Sequence, residues 1–181
     1  MDNYFNLLDI EPAVDIDLEK LSEHHKKLAV QHHPDHPESL GDDTQYKLIN
    51  TAYKALKSPA NRLAHLMKIT ETPYDKRGTV SNHLLDLFMS TAQLLQDTDS
   101  FLRKKSNTAS TLALALLEAE SQQIQEQLGK QIETIDTEQI NSLKQAAESA
   151  ANDLSFEHAA RDLAFLEKWQ AQLKERYSSL F

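Results

Sequence analysis

Apolar side chains recur every three or four positions along most of this chain, broken by short polar stretches, and that spacing predicts helices. The first cluster, NYFNLLDIEP, carries Tyr4, Phe5, Leu7, Leu8 and Ile10 and stops at Pro12. A short helix with one buried side is expected there. VDIDLEKLSEHHKKLAVQHH follows, with Asp15 or Asp17 as its N-cap. Leu18, Leu21, His25, Leu28 and His32 fall on one face of that helix, and Lys26 and Lys27 point away from it. Pro34 disfavours helical geometry at His33 and offers no amide proton, so the helix should end there. PDHPESLGDDT reads as an exposed loop. QYKLINTAYKALKSP then restarts a helix, with Tyr46, Ile49, Tyr53 and Leu56 on one face and Pro59 closing it. The expected layout is an antiparallel helical hairpin with His33, Pro34 and Asp35 at its head.

Beyond it, TETPYDKRGTVSN, residues 70–82, carries Pro73 and Gly78 among polar residues and reads as a connector. SNHLLDLFMSTAQLLQ places Leu84, Phe88, Thr91 and Leu95 on one face, and DTDSFLRKKSNTAS is expected to interrupt that helix. The next apolar line is Leu112, Leu116, Ile124, Leu128, Ile132 and Ile135, after which Asp136 and Gln139 fit a capping-box start. NDLS at 152–155 predicts a bend or break. The last segment aligns Phe156, Ala160, Leu163, Leu166, Leu173, Tyr177 and Leu180. Helices burying such stripes make an antiparallel bundle. The fold class expected is all-α.

Composition agrees: three glycines and five prolines among 181 residues favour helices over turn-rich sheets. With no cysteine, the chain itself has no disulfide, zinc–thiolate site, iron–sulfur ligation or thiol catalysis. No apolar run approaches the roughly 18 residues of a membrane span, and no signal-peptide core opens the chain, so a soluble cytoplasmic protein is expected. The net charge of −9 argues against nucleic acid as a partner. Residues 1–75 hold 8 basic against 13 acidic side chains, yet Leu18 to His33 holds three lysines against two glutamates. A local basic strip on acidic ground points to a protein partner.

The segment HKKLAVQHHPD, His25 to Asp35, resembles the J domain of DnaJ-type co-chaperones position by position. Lys26 and Lys27 fill its basic positions and Leu28, Ala29 and Val30 its packing positions. His25 and His32 stand where the family has aromatic residues, and Gln31 replaces a lysine, which thins the positive face. NYFNLLDI, DIDLEKL, HHPD and INTAYKALKSPANRLAHLM, in that order, narrow the resemblance to the HscB family of iron–sulfur cluster assembly. Pro59, Arg62, Leu63 and Leu66 match the family's continuation of the J domain. The resemblance implies a J domain over 1–75, a linker at 76–82 and a client- or scaffold-binding bundle over 83–181.

By the same resemblance, His33, Pro34, Asp35, Lys26 and Lys27 bind a DnaK/HscA-type chaperone ATPase. Asp35 would meet an arginine, His33 would donate and accept hydrogen bonds, and Pro34 would stiffen the backbone between them. The lysines would supply a salt-sensitive encounter with an acidic strip. LFM, Leu87 to Met89, and LAFLEK resemble the family's patch for an IscU-like iron–sulfur scaffold protein. That patch comprises Phe88, Met89, Ala92, Gln93, Gln96 and Phe165 here. J-proteins perform no chemistry themselves, so no enzyme activity, catalytic residue, cofactor or membrane partner is expected. Two alternatives remain open. One is a J-protein with another client. The other is a small metal- or ligand-binding helical protein built on His24, His25, His32, His33 and His36.

Overall fold

The computed structural model describes residues 2–34, 43–73, 75, 77–148 and 153–181. Seven α-helices run along the described residues, which contain no strand: α1 (Tyr4–Leu7), α2 (Leu18–Gln31), α3 (Asp43–Lys57), α4 (Pro59–Ile69), α5 (Leu85–Ser106), α6 (Thr111–Glu148) and α7 (Asp153–Ser179). They form two compact units, residues 1–78 with 143–164, and residues 79–142 with 165–181. Helices α6 and α7 are therefore each divided between the units.

In the first unit, short-range chemistry sets the helix ends. Asn3 Oδ1 accepts from the Phe5 and Asn6 amides, and Asp17 Oδ1 accepts from Glu19 and Lys20 at 2.9 and 3.0 Å. Asp17 is thus the cap of α2. Ser58 Oγ accepts from the Asn61 amide and Pro59 occupies the first turn of α4, where a missing amide proton costs nothing. Pro59 closes α3 and opens α4 at once. Helices α2 and α3 are antiparallel: His25 meets Asn50 and Tyr53, and eight residues on, His33 meets Tyr46. Phe5, Leu8, Leu21, Ile49, Ala52 and Leu56 are fully buried between them. A second cluster joins Val14, Ala60, Leu63 and Met67 to Ala146, Ala160 and Leu163.

In the second unit three long helices bury Leu84, Phe101, Leu117, Leu128, Ile135, Leu166, Trp169, Leu173 and Leu180. Gln131 donates to Ser90 and Thr91 while Lys104 reaches Glu120, so α5 and α6 run antiparallel. Asp136 bonds Gln170, which makes α7 double back on α6.

Four expectations need correction. Helix α5 is unbroken through DTDSFLRKK, because Thr98 and Phe101 are buried there, Asp97 faces outward and Asp99 accepts from Arg176 of α7; the interruption is confined to 107–110. Asp136 starts no new helix, since its carboxylate is taken by Gln170 and Ile135 is fully buried inside a continuous α6. Leu112 and Leu116 are each 73% exposed, because the buried line of α6 runs through Leu117, Ser121, Leu128, Ile135, Ser142 and Ala146. Val30, assigned a packing position, is 62% exposed, as it shares the outer face of α2 with Lys26.

Candidate functional site

The first candidate surface is the outer face and C-terminal end of α2. His25 fixes which way that helix faces. Its ring stacks on Tyr53 at 4.0 Å between centroids, and Nε2–H donates to Asn50 Oδ1 at 2.9 Å. Asn50 is held in turn by donating to the Tyr46 carbonyl. His25 therefore does the work of the aromatic residue it replaces and adds a directional bond. On the opposite side Lys26 and Lys27 are exposed. The helix closes at Gln31, with the His32 amide donating to Leu28 O at 3.0 Å. The chain then leaves through half-buried His33 and exposed Pro34. The His33 ring lies edge-on to Tyr46 of α3 at 5.2 Å, which orients the imidazole from the second arm of the hairpin. Asp35, the third residue of the triplet, and His36 lie outside the described residues.

His24 Nδ1–H donates to Leu8 O at 2.8 Å, tying α2 to the end of α1. Among the described residues no three His, Asp or Glu side chains come together as a metal site would require.

The second surface lies on α5. Phe88 is 42% and Met89 65% exposed, and Ala92, Gln93 and Gln96 are exposed on the same helical face. Gln93 Nε2 donates to Asp97 one turn on. Phe165 of α7 is half-buried. Trp169, 5% exposed, lies 5.4 Å from the Phe88 ring and 6.1 Å from that of Phe165. One buried indole therefore backs both aromatic side chains and makes α5 and α7 present one patch. Sequence reasoning passed over Trp169, although it is the only tryptophan and stands three residues after Leu166 and four before Leu173. Leu85, 47% exposed, extends the patch by one turn and was also missed.

Two further side chains hold the first unit together. Arg62, 2% exposed, donates from Nε to Val14 O and from Nη1 to Leu56 O, both at 2.8 Å. His65 accepts the Tyr4 amide proton on Nε2 at 3.0 Å. Burial, and then the charge of Lys68, lower the His65 pKa below its ordinary 6.5. Among the described residues no helix is long and apolar enough to cross a membrane.

Comparison with known proteins matches a DnaJ domain model to residues 3–65. A co-chaperone protein HscB homolog of Neisseria meningitidis is 42% identical over 74 residues, which are 38% of this chain and 45% of that one. The matched segment is thus under half the length of that relative. An HscB homolog of Colwellia psychrerythraea aligns over 99% of this chain and 98% of its own at 28% identity. Among solved structures, chaperone HscB from Vibrio cholerae superimposes with a TM-score of 0.66 over 99% of this chain and all of its own, at 20% identity. Human co-chaperone HscB gives 0.55 at 18% identity, covering 98% of this chain and 81% of that one. These last two establish the fold alone. Residues 3–65 accordingly match a DnaJ domain, and over nearly its whole length the chain is similar to an HscB co-chaperone homolog.

Proposed function

We propose that this chain is a co-chaperone that stimulates a DnaK/HscA-type ATPase and delivers an IscU-like iron–sulfur scaffold protein to it in the cytoplasm, itself performing no catalysis. The observation that carries the reading is the register of α2. The stacking of His25 on Tyr53 turns Lys26 and Lys27 outward, and the helix ends so that His33 is oriented by Tyr46 beside exposed Pro34. A cationic helix face running into a stiff, polar tip suits docking on an acidic surface with a directed contact at its edge. In this reading His33, Pro34 and Asp35 form the tip, and residues 1–75 act as the J domain. The bundle over 83–181, reached through 76–82, holds the scaffold protein at Phe88, Met89, Ala92, Gln93, Gln96 and Phe165. An aromatic patch backed by a buried tryptophan suits such a partner, since anchored aromatic side chains supply contact area with little ordering cost. The test is steady-state phosphate release by a DnaK/HscA-type ATPase with wild-type chain and with His33→Gln. Loss of most of the stimulation is expected; unchanged stimulation would overturn the proposal.

A further inference from the structure

The first unit also contains an open groove of about 580 Å³, bordered by Tyr4, Lys54, Asn61, Ala64, His65 and Lys68. Its size lies in the range of small-molecule sites and well above what a bare ion fills. His65 is only 7% exposed and stacks on Tyr4 at 4.3 Å. Because Nε2 accepts the Tyr4 amide proton, the neutral ring carries its own proton on Nδ1. That N–H has no protein acceptor among the described residues, and it is not among the buried atoms shut off from solvent without a partner. This donor belongs to a groove-lining side chain that is more than nine-tenths buried.

The groove's charges all have one sign. Lys54 comes from α3 and Lys68 from α4, both exposed. Among the described residues neither forms an ion pair, and no carboxylate borders the groove. In a chain of net charge −9 such a spot stands out. Tyr4 and Ala64 add apolar wall, which a simple ion would leave unused.

We propose that this groove binds a small organic oxyanion, phosphoryl or carboxyl, whose oxygen accepts from His65 Nδ1–H between the Lys54 and Lys68 ammonium groups while its apolar body lies against Ala64 and Tyr4. Burial and then the charge of Lys68 disfavour the imidazolium; a bound anion offsets the lysine's charge, so occupancy raises the His65 pKa.

The experiment is an NMR titration of the full chain, following the His65 ring nitrogens and the Tyr4 amide at constant ionic strength set with chloride. Phenyl phosphate and benzoate serve as separate probes. Saturable shifts at both nuclei are expected, with at least about tenfold weaker binding in a Lys54→Gln, Lys68→Gln variant, since two charge-assisted contacts are lost. Both lysines are exposed, so that variant keeps its fold. Saturation by phenyl phosphate alone assigns a phosphoryl ligand, and by benzoate alone a carboxyl one; saturation by both supports an oxyanion of either kind. His65→Phe keeps the ring stack and removes the donor, and it should abolish saturation. Shifts that stay linear with either probe, or affinity unchanged in the lysine variant or in His65→Phe, would overturn the proposal.

Discussion

The two units bury polar side chains of opposite kinds. The first encloses Arg62, His65 and Asp162; the second encloses only hydroxyls among its described residues, Thr91, Thr98, Ser121 and Ser142. For Arg62 and His65 the cause is helix length, whereas Asp162 lies within the long α7. The first unit is built around helices of 4 to 15 residues, and much of its backbone lies at helix ends or between them. Arg62 satisfies Val14 O in the irregular stretch before α2 and Leu56 O in the last turn of α3, where no intrahelical partner exists. His65 does the same for the Tyr4 amide in the first turn of α1. Long helices satisfy their own backbone, so the second unit needs no such reach. Thr98 simply returns its hydroxyl proton to Leu94 O at 2.7 Å. Arg62 and His65 bridge local irregularity, and the long helices of the second unit hide small polar side chains.

The largest effect that would break this contrast is on stability. Arg62→Ala strands two buried carbonyls and should cost about 3–5 kcal/mol in urea unfolding. A loss below about 1 kcal/mol would remove Arg62 from its role. Next come the two proposed surfaces, one apolar and one charged. Phe88→Ala with Met89→Ala should weaken scaffold-protein binding by about 2 kcal/mol, roughly 30-fold, with helical circular dichroism unchanged and little dependence on salt. Lys26→Gln with Lys27→Gln should raise the concentration of chain needed for half-maximal ATPase stimulation by about tenfold at low ionic strength, with the gap closing near 1 M salt. If instead the apolar patch proved salt-sensitive and the lysine face insensitive, the two surfaces would have to exchange roles.

Smaller again, Thr98→Val should change stability by less than about 1 kcal/mol, because the carbonyl it leaves already has its helical partner. The least effect is the pH dependence from His65. Its folded pKa is lowered, so the folded state binds fewer protons than the unfolded chain and its contribution is complete above the ordinary 6.5. Stability should then fall as pH drops from 7 to 5, and the slope should be shallower in His65→Phe, measured by urea melts across that range. An equal slope in both would assign the titration to other histidines.

Much of this was legible in the residues, and the failures have a common origin. The stop before Pro34 and the antiparallel pairing of α2 with α3 depend on interactions a few residues long or on one clear stripe and read directly, while the cap was narrowed to Asp15 or Asp17 and the structure selects Asp17. Periodicity placed His25 on the buried stripe, and the family resemblance gave it an aromatic position. What escaped notice in the second half were buried positions filled by Ser121, Ser142 and Thr98, whose hydroxyls weaken the apolar signal. That masking is why Leu112 and Leu116 were placed on the wrong side and why α5 and α6 were expected to break.

The candidate surfaces divide in the same way. The order of residues along α2 already determined a basic face leading to a histidine, a proline and an aspartate, because a helix projects its side chains at fixed angles. Whether Phe88 and Phe165 would form one patch could not be decided along the chain, since they are 77 positions apart and join only where Trp169 is buried between α5 and α7. The groove beside His65 is likewise a tertiary product: Lys54, His65 and Tyr4 lie on three different helices. Periodicity sets which way each side chain points from its own helix. Only packing chooses the side chains that meet it.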